Sequence, residues 1–282
     1  MLQYEIAGLK FNIIHDHKKS FKRFKPFEAS FPDKPDIEIK FQPSGIFPAP
    51  EYSVHEKDGI SWHMKFIHDK AIAHVFLKNT GRTEYTIEAK NDWSDITILY
   101  REGAKGLEQD FSYFLGNYII SNKIIYHRGF VIHASSVSCS GKGIAFTAPS
   151  GTGKSTHAAM WKRYYNASIL NDDCPIIKIE NSNVATIHGT PWSGAGNKAM
   201  QSSSPLSMIV ILEQSDRNSI RDLTTEEAIP LLLPRIFLPY QNPALMDLVL
   251  PNIERVVKTV PKYHLKCRAN REATELVYQC LK

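Results

Sequence analysis

Residues 148–155, Ala-Pro-Ser-Gly-Thr-Gly-Lys-Ser, form the stretch of this sequence with the clearest chemical meaning. Gly151 and Gly153 allow backbone conformations that turn successive N–H groups toward one point, and the start of a following helix adds a positive field. This pattern is typical of a loop that binds the phosphates of ATP, although Ala148 stands where the usual pattern begins with glycine. The residues predicted to hold the nucleotide are Ser150, Gly151, Thr152, Gly153, Lys154, Ser155 and Thr156.

Two residues of this loop have more specific predicted roles. The ammonium group of Lys154 would reach the outer phosphates and take part in catalysis as a point charge. The hydroxyl of Ser155 would be a ligand of Mg²⁺. ATP and Mg²⁺ are therefore the predicted cofactors.

A pair of carboxylates follows the loop, at the end of the apolar segment Ser168-Ile-Leu-Asn-Asp-Asp173. Two acids near Mg²⁺ and phosphate can divide the work, one holding the metal and the other accepting a proton from an attacking hydroxyl. We predict that Asp172 and Asp173 are catalytic and that Asp172 also contacts the metal. Which acid is the base stays open, and a polar turn at a strand end would also suit Asn-Asp-Asp.

The elements around these residues indicate an α/β core. Apolar runs predict strands at Gly129–Val137, Gly143–Thr147, Ala167–Leu170, Ile176–Ile179 and Ser207–Leu212. Helical spacing of apolar residues predicts helices over 107–124, from Lys154 to about Tyr164, and over Asn270–Leu281. The strand, glycine loop and helix at 143–164 thus follow each other in the order that phosphate binding requires.

The first hundred residues have a different pattern, with short alternating segments between turn residues. Apolar positions alternate over Tyr4–Ile14, Asp36–Phe41, Trp62–Phe66, Ala71–Leu77 and Thr83–Ala89. We predict a β-rich N-terminal module of antiparallel strands over 1–105 and a nucleotide-binding domain over 106–282.

Composition restricts the class of protein and its partners. The net charge of +5 is spread along the 282 residues, which gives no reason to expect a nucleic-acid partner. The four cysteines show neither zinc-site spacing nor the density of a disulfide scaffold. The N-terminus does not have the pattern of a signal peptide, and no apolar run is long enough to span a bilayer. These observations predict a soluble cytoplasmic protein without a membrane partner.

The run Val131-Ile-His-Ala-Ser-Ser-Val137, the glycine loop and Leu170-Asn-Asp-Asp173 together resemble the HPr kinase/phosphorylase family, which is akin to phosphoenolpyruvate carboxykinase. The likeness covers roughly 107–280 and is greatest to the smaller HPr-kinase-like proteins, some of which phosphorylate peptides. It implies a P-loop kinase core of the HPr kinase/carboxykinase type. It also implies that His133 is a catalytic residue beside the acids, with Trp192 and Gly194 shaping the site and Arg235 stabilising phosphate charge.

The chain also departs from the full HPr kinase/phosphorylases. Thr186-Ile-His-Gly189 contains neither the glutamate nor the arginine of the family signature, and Ala134 follows His133 where glycine is usual. The resemblance therefore does not carry over HPr as the substrate, the reverse reaction or the hexamer, although it allows for a homo-oligomer.

The leading hypothesis is an ATP-dependent kinase that phosphorylates a hydroxyl, Ser or Thr, of a peptide or small protein. The alternatives are a small-molecule kinase or carboxykinase-like phosphotransferase, and a nucleotide-binding regulator without turnover. A second metal site at His133 would favour the carboxykinase chemistry.

Overall fold

A computed structural model describes residues 1–14, 21–47, 55–57, 60–67, 70–77, 81–102, 110–194, 196 and 198–281. The chain divides into two compact units, Met1–Lys123 and Ile124–Lys282. The predicted domain boundary at 105/106 and the first residues of the predicted helix at 107–124 lie outside the described residues. The result is a mixed α/β protein with a separate sheet in each unit.

The first unit is built on a sheet of eight described strands in the order β1-β2-β3-β8-β7-β6-β5-β4. The strands are β1 (Leu2–Ile6), β2 (Leu9–Ile14), β3 (Ile37–Ser44), β4 (His55–Lys57), β5 (Ile60–Ile67), β6 (Lys70–Leu77), β7 (Arg82–Lys90) and β8 (Asp95–Arg101). A 3₁₀ helix at Lys22–Phe27 follows the first two strands, and a π-helical turn at Phe111–Leu115 leads into helix α1 (Gly116–Lys123).

The strand directions in this sheet correct the prediction of an antiparallel module. β3 lies between β2 and β8 and runs parallel to both. Parallel neighbours need long crossover connections, and the long stretches of chain before and after β3 provide them. The alternating segment Tyr4–Ile14 is also two strands, because Ala7 and Gly8, with φ of 53° and 78°, form a tight turn.

The second unit has a sheet in the order β12-β10-β11-β15-β14-β13-β9, with β17 beside β15 and β16 beside β17. Its strands are β9 (Gly129–Val131), β10 (Ala134–Cys139), β11 (Lys142–Thr147), β12 (Ser168–Asn171), β13 (Ile176–Ile179), β14 (Ala185–His188), β15 (Ser203–Gln214), β16 (Ser219–Asp222) and β17 (Lys262–Cys267). Its helices are α2 (Lys154–Tyr165), α3 (Thr225–Leu232), α4 (Pro243–Thr259) and α5 (Arg271–Leu281), with short 3₁₀ helices at Ile124–His127 and Leu233–Arg235.

The predicted strand Gly129–Val137 is divided at Ile132 and His133. β9 pairs with β13, whereas β10 pairs with β11 and β12. The unbroken apolar run contains no turn residue at this point, so periodicity alone could not reveal the change of pairing partner. The division matters because it leaves His133 directly before β10.

Apolar side chains of α2 and α5 pack on one face of this sheet. Trp161 and Ala158 of α2 join Phe146 of β11 and Val210 of β15 in a cluster of buried residues that also includes Val277 of α5. Burial of this apolar surface fixes α2 against β11, and therefore also fixes the loop between them. None of the described helices is long and apolar enough to cross a bilayer.

Topology brings three strand ends to one edge of the sheet. β10 is antiparallel to both β11 and β12, with Ala134 opposite Thr147 and Ser136 opposite Asn171. The start of β10 therefore lies beside the ends of β11 and β12. The residues that follow β11 and β12 are the glycine loop and the two acids.

Candidate active site

The glycine loop, residues 148–153, connects the end of β11 to the first residue of α2. Gly151 and Gly153 have φ of 79° and 105°, in the left-handed region that favours glycine. Gly153 also occupies the N-cap position of α2, where no side chain caps the helix. The first backbone N–H groups of a helix have no partner within it, so this loop and helix start form an anion-binding geometry. The predicted strand before the loop and the predicted helix after it are confirmed.

Lys154 is buried at this junction, with its ammonium group turned back onto the loop. Its Nζ donates to the carbonyl oxygens of Ala148 at 3.1 Å and Pro149 at 3.2 Å. Both bonds can be exchanged for bonds to an anion, because carbonyl oxygens carry no full charge. Ser150 is exposed at the tip of the loop, and Ser155 and Thr156 are exposed on the first turn of α2.

Ser155 connects the glycine loop to the segment that carries the acids. Its Oγ lies 3.4 Å from the carbonyl oxygen of Asp172. Ser135 of β10 donates to that same carbonyl at 3.1 Å, and its Oγ lies 3.4 Å from the Oγ of Ser155. Two hydroxyls thus meet at the backbone of Asp172, and the sequence pattern gives no signal for the role of Ser135.

Asn171 is fully buried at the end of β12 and fixes the backbone around both acids. Its Oδ1 accepts the N–H groups of Asp173 at 2.8 Å and Cys174 at 2.7 Å. Its Nδ2 donates to the carbonyls of Thr190 at 2.8 Å and Trp192 at 3.1 Å. The amide therefore uses both ends, and it joins the turn at the acids to the loop that follows β14. The sequence showed this residue only as part of a polar turn.

The loop that follows β14 covers the Asp172 side chain. Oδ1 of Asp172 accepts the N–H of Gly194 at 2.8 Å. A Cβ atom at Gly196 would stand 2.4 Å from Oδ2, so only glycine fits at this position without displacing the carboxylate. Trp192 is buried and contributes its carbonyl to the bond with Asn171.

Burial is the largest influence on the ionisation of Asp172, and it raises the pKa of the carboxyl above its usual range. The hydrogen bond from Gly194 acts in the opposite direction, and the charge of Asp173 raises the pKa further. A carboxylate with a raised pKa is a stronger base than an exposed aspartate.

His133 lies against the second acid. Its Nε2 is 3.3 Å from Oδ1 of Asp173, and the Asp173 carbonyl accepts the N–H of Ala134 at 2.9 Å. The backbone N–H of His133 donates to the carbonyl of Arg235 at 2.7 Å, and Ile132 forms a bridge with Ile236. The segment after α3 therefore lies beside this end of the sheet, with the half-buried Arg235 next to His133.

Ser155, Asp172, Asp173 and His133 thus meet at one edge of the sheet, beside the glycine loop. The described residues contain no group of three or more His, Cys, Asp and Glu side chains that could hold a metal by themselves. Mg²⁺ does not need such a cage, because it commonly uses one or two protein oxygens together with phosphate oxygens and water. The Ser155 hydroxyl and a carboxylate on the adjoining segment of Asp172 and Asp173 are oxygen groups of the kind that Mg²⁺ uses. The roles assigned to the predicted site residues stay predictions.

Comparison with known proteins gives a family. A sequence profile of the family described as SynChlorMet cassette protein ScmC matches residues 114–282, which is more than half of the chain. No curated protein sequence matches. One similar solved structure is that of the Hpr(Ser) kinase/phosphatase from Coxiella burnetii, at 15% identity and a TM-score of 0.32, with 53% of this chain and 89% of that chain covered.

Proposed function

The chain belongs to the ScmC family, and we propose that it is an ATP-dependent kinase with a P-loop core that phosphorylates a hydroxyl. One observation carries the proposal. The helix start that follows the glycine loop and the backbone of Asp172 are held together by Ser155, whose Oγ is 3.4 Å from the Asp172 carbonyl. An anion-binding loop and a buried carboxylate are the two parts that phosphoryl transfer to a hydroxyl requires.

The phosphate groups of the donor would bind at the first turn of α2. Their oxygens would accept hydrogen bonds from backbone N–H groups there, and Lys154 would move its Nζ from the Ala148 and Pro149 carbonyls to the outer phosphates. A preorganised positive group at the transferred phosphoryl stabilises the charge of the transition state.

Ser155 and Asp172 would hold Mg²⁺, which neutralises charge on the phosphate oxygens when it is bound. The chain's own contribution is to place a hydroxyl and a carboxylate next to the phosphate loop. Ser135 supports this placement, because it anchors the Asp172 carbonyl from β10.

Asp172 would orient the acceptor hydroxyl and take its proton as the oxygen attacks the γ-phosphorus. His133 would hold the carboxylate of Asp173 in place beside Asp172. Arg235, next to His133 on the chain segment after α3, would face the transferred phosphoryl group. The acceptor we propose is a serine or threonine of a peptide or small protein.

Transfer of label tests this proposal. Wild-type protein with Mg²⁺ and γ-labelled ATP is incubated with a mixed Ser/Thr peptide library, in parallel with Asp172→Asn and with the exposed control Asp247→Asn on α4. We expect labelled peptides from the wild type and the control, and a loss of about 10²- to 10⁴-fold in Asp172→Asn. Equal labelling by Asp172→Asn, or no label on any peptide, would contradict the proposal.

A further inference from the structure

A cleft of about 560 Å³ lies beside the glycine loop, on the part of α2 that the catalytic residues do not use. Gly151, Gly153 and Thr156 line it. Residues at the ends of β15 and β17, including Gln214 and Arg268, line it as well. These strands are parallel neighbours, and crevices outside the carboxyl ends of parallel strands are where α/β proteins bind ligands. The volume is within the range of about 300–1,000 Å³ that is usual for small-molecule pockets.

One wall of the cleft is uncharged. Met160 of α2 and Leu212 of β15 supply apolar surface, and a thioether adapts well to a flat ring. His157 completes this wall, and burial lowers the pKa of its imidazole to about 4, so that the ring is neutral near pH 7. Its Nε2 is buried and has no hydrogen-bond partner among the described residues.

The rim of the cleft is polar. Asp216 supplies the only carboxylate among the described residues that line it, and its side chain is exposed. A carboxylate accepts two hydrogen bonds side by side, which matches a pair of adjacent hydroxyl groups. Gln214 approaches the glycine loop itself, with its Nε2 3.5 Å from the carbonyls of Gly151 and Thr152. The rim is therefore continuous with the phosphate loop.

We propose that this cleft binds the nucleoside part of the phosphoryl donor, with the base against Met160 and Leu212 and the ribose hydroxyls on Asp216. The inference rests on the proposed function, because the phosphates must occupy the glycine loop for the nucleoside to reach the cleft. It adds where the nucleoside of the donor binds and which residues would hold it.

The test compares two ligands that share a triphosphate. Binding of Mg-ATP and of Mg-tripolyphosphate is measured by calorimetry for the wild type, for Ala269→Trp and for Val184→Trp. Ala269 is exposed and lines the cleft, whereas Val184 is exposed on the turn between β13 and β14 and serves as the matched control. Ala269→Trp should weaken ATP binding by about tenfold or more, because the base loses its apolar contact area. Tripolyphosphate binding should be the same in all three proteins.

A second variant tests the ribose contact. Asp216→Ala should weaken ATP binding by about tenfold, because a hydrogen-bonded charge is removed. The same variant should not affect 2′,3′-dideoxy-ATP, which cannot make the contact in either protein.

The outcomes separate this inference from the function on which it rests. Unchanged ATP affinity in both Ala269→Trp and Asp216→Ala, with tripolyphosphate bound as tightly as ATP, would show that the cleft does not bind the nucleoside. Phosphate binding by the glycine loop would not be affected by that result. Failure of the wild type to bind either ligand would overturn the proposed function and the cleft together.

Discussion

The Nε2 atom of His133 lies 3.3 Å from Oδ1 of Asp173 in the second unit of the chain. Each partner is also fixed by its backbone, because the Asp173 carbonyl accepts the N–H of Ala134 and the His133 carbonyl accepts the hydroxyl of Thr147. The charge of Asp173 raises the pKa of Asp172, so the ionisation of one acid depends on the position of the other. The first prediction follows from this dependence.

The pH profile of kcat/KM should show an acid limb that belongs to Asp172. The proposed base works only when it is deprotonated, so activity falls as the pH drops through its pKa, which burial raises above the ordinary value of 3.8. Asp173→Asn removes one cause of the raised pKa and should move the limb to lower pH. Steady-state kinetics across pH, with Asp247→Asn as the control, checks the shift. A limb that stays in place or moves to higher pH would show that Asp173 does not raise the pKa of the base.

A methyl group at residue 196 should disable the site. The Cβ of Gly196→Ala would stand 2.4 Å from Oδ2 of Asp172, so the carboxylate must leave its position. We expect kcat to fall by about 10²-fold, as for a misplaced catalytic group. Gly45→Ala is the matched control, because a Cβ there meets no atom within 4 Å. A kcat equal to that of the control would mean that the Asp172 position is not critical.

Asn171→Ala should destabilise the protein strongly. The substitution removes the acceptor of the Asp173 and Cys174 N–H groups and the donor to the Thr190 and Trp192 carbonyls, all in a buried environment. We expect a loss of about 3 kcal/mol in the free energy of unfolding, measured by urea denaturation. The exposed Asn181→Ala should change it by less than about 0.5 kcal/mol. Similar values for the two variants would contradict the role given to Asn171.

His157 should make the protein sensitive to acid. Its folded-state pKa of about 4 is below the ordinary 6.5, so folding favours the neutral ring. The stability contributed by the neutral ring is complete above pH 6.5 and is lost progressively as the pH falls toward 4. The loss at pH 5 should be about 2 kcal/mol relative to pH 8. His157→Phe keeps an aromatic ring against Phe146 and should remove this part of the pH dependence. Urea denaturation at pH 5 and pH 8 measures the free energy of unfolding of both proteins. An equal change in this free energy between the two pH values would contradict the role given to His157.

The sequence predicted the parts of the site that depend on local chemistry. The glycine loop, its flanking strand and helix, and the acids after a short strand are encoded by neighbouring residues, and the structure contains each of these elements. Ser135 and Asn171 were not recognised as important for the site. Their roles depend on contacts to residues distant in sequence, Asp172 for one and Thr190 and Trp192 for the other. Hydrophobic periodicity contains no information on such contacts.

The arrangement of the strands could also not be predicted from the sequence pattern. The parallel position of β3 between β2 and β8 depends on long connections, and periodicity within β3 is the same for either direction. The break at His133 is set by Ile236 and Pro175, which take over the backbone bonds of Ile132 from outside the strand. The family resemblance suggested His133 as a site residue, and the structure brings it to Asp173.

The most direct test of the central claim is the affinity for Mg-ATP of the wild type, Lys154→Ala and Lys162→Ala. Both lysines lie on α2, but Lys154 is at the glycine loop, whereas Lys162 is exposed two turns further on. We predict binding by the wild type and by Lys162→Ala with equal dissociation constants, and a dissociation constant about 10- to 100-fold higher for Lys154→Ala, because a charge-assisted bond to phosphate is lost. Equal affinity of all three proteins, or no binding by the wild type, would contradict a phosphate-binding function for this loop.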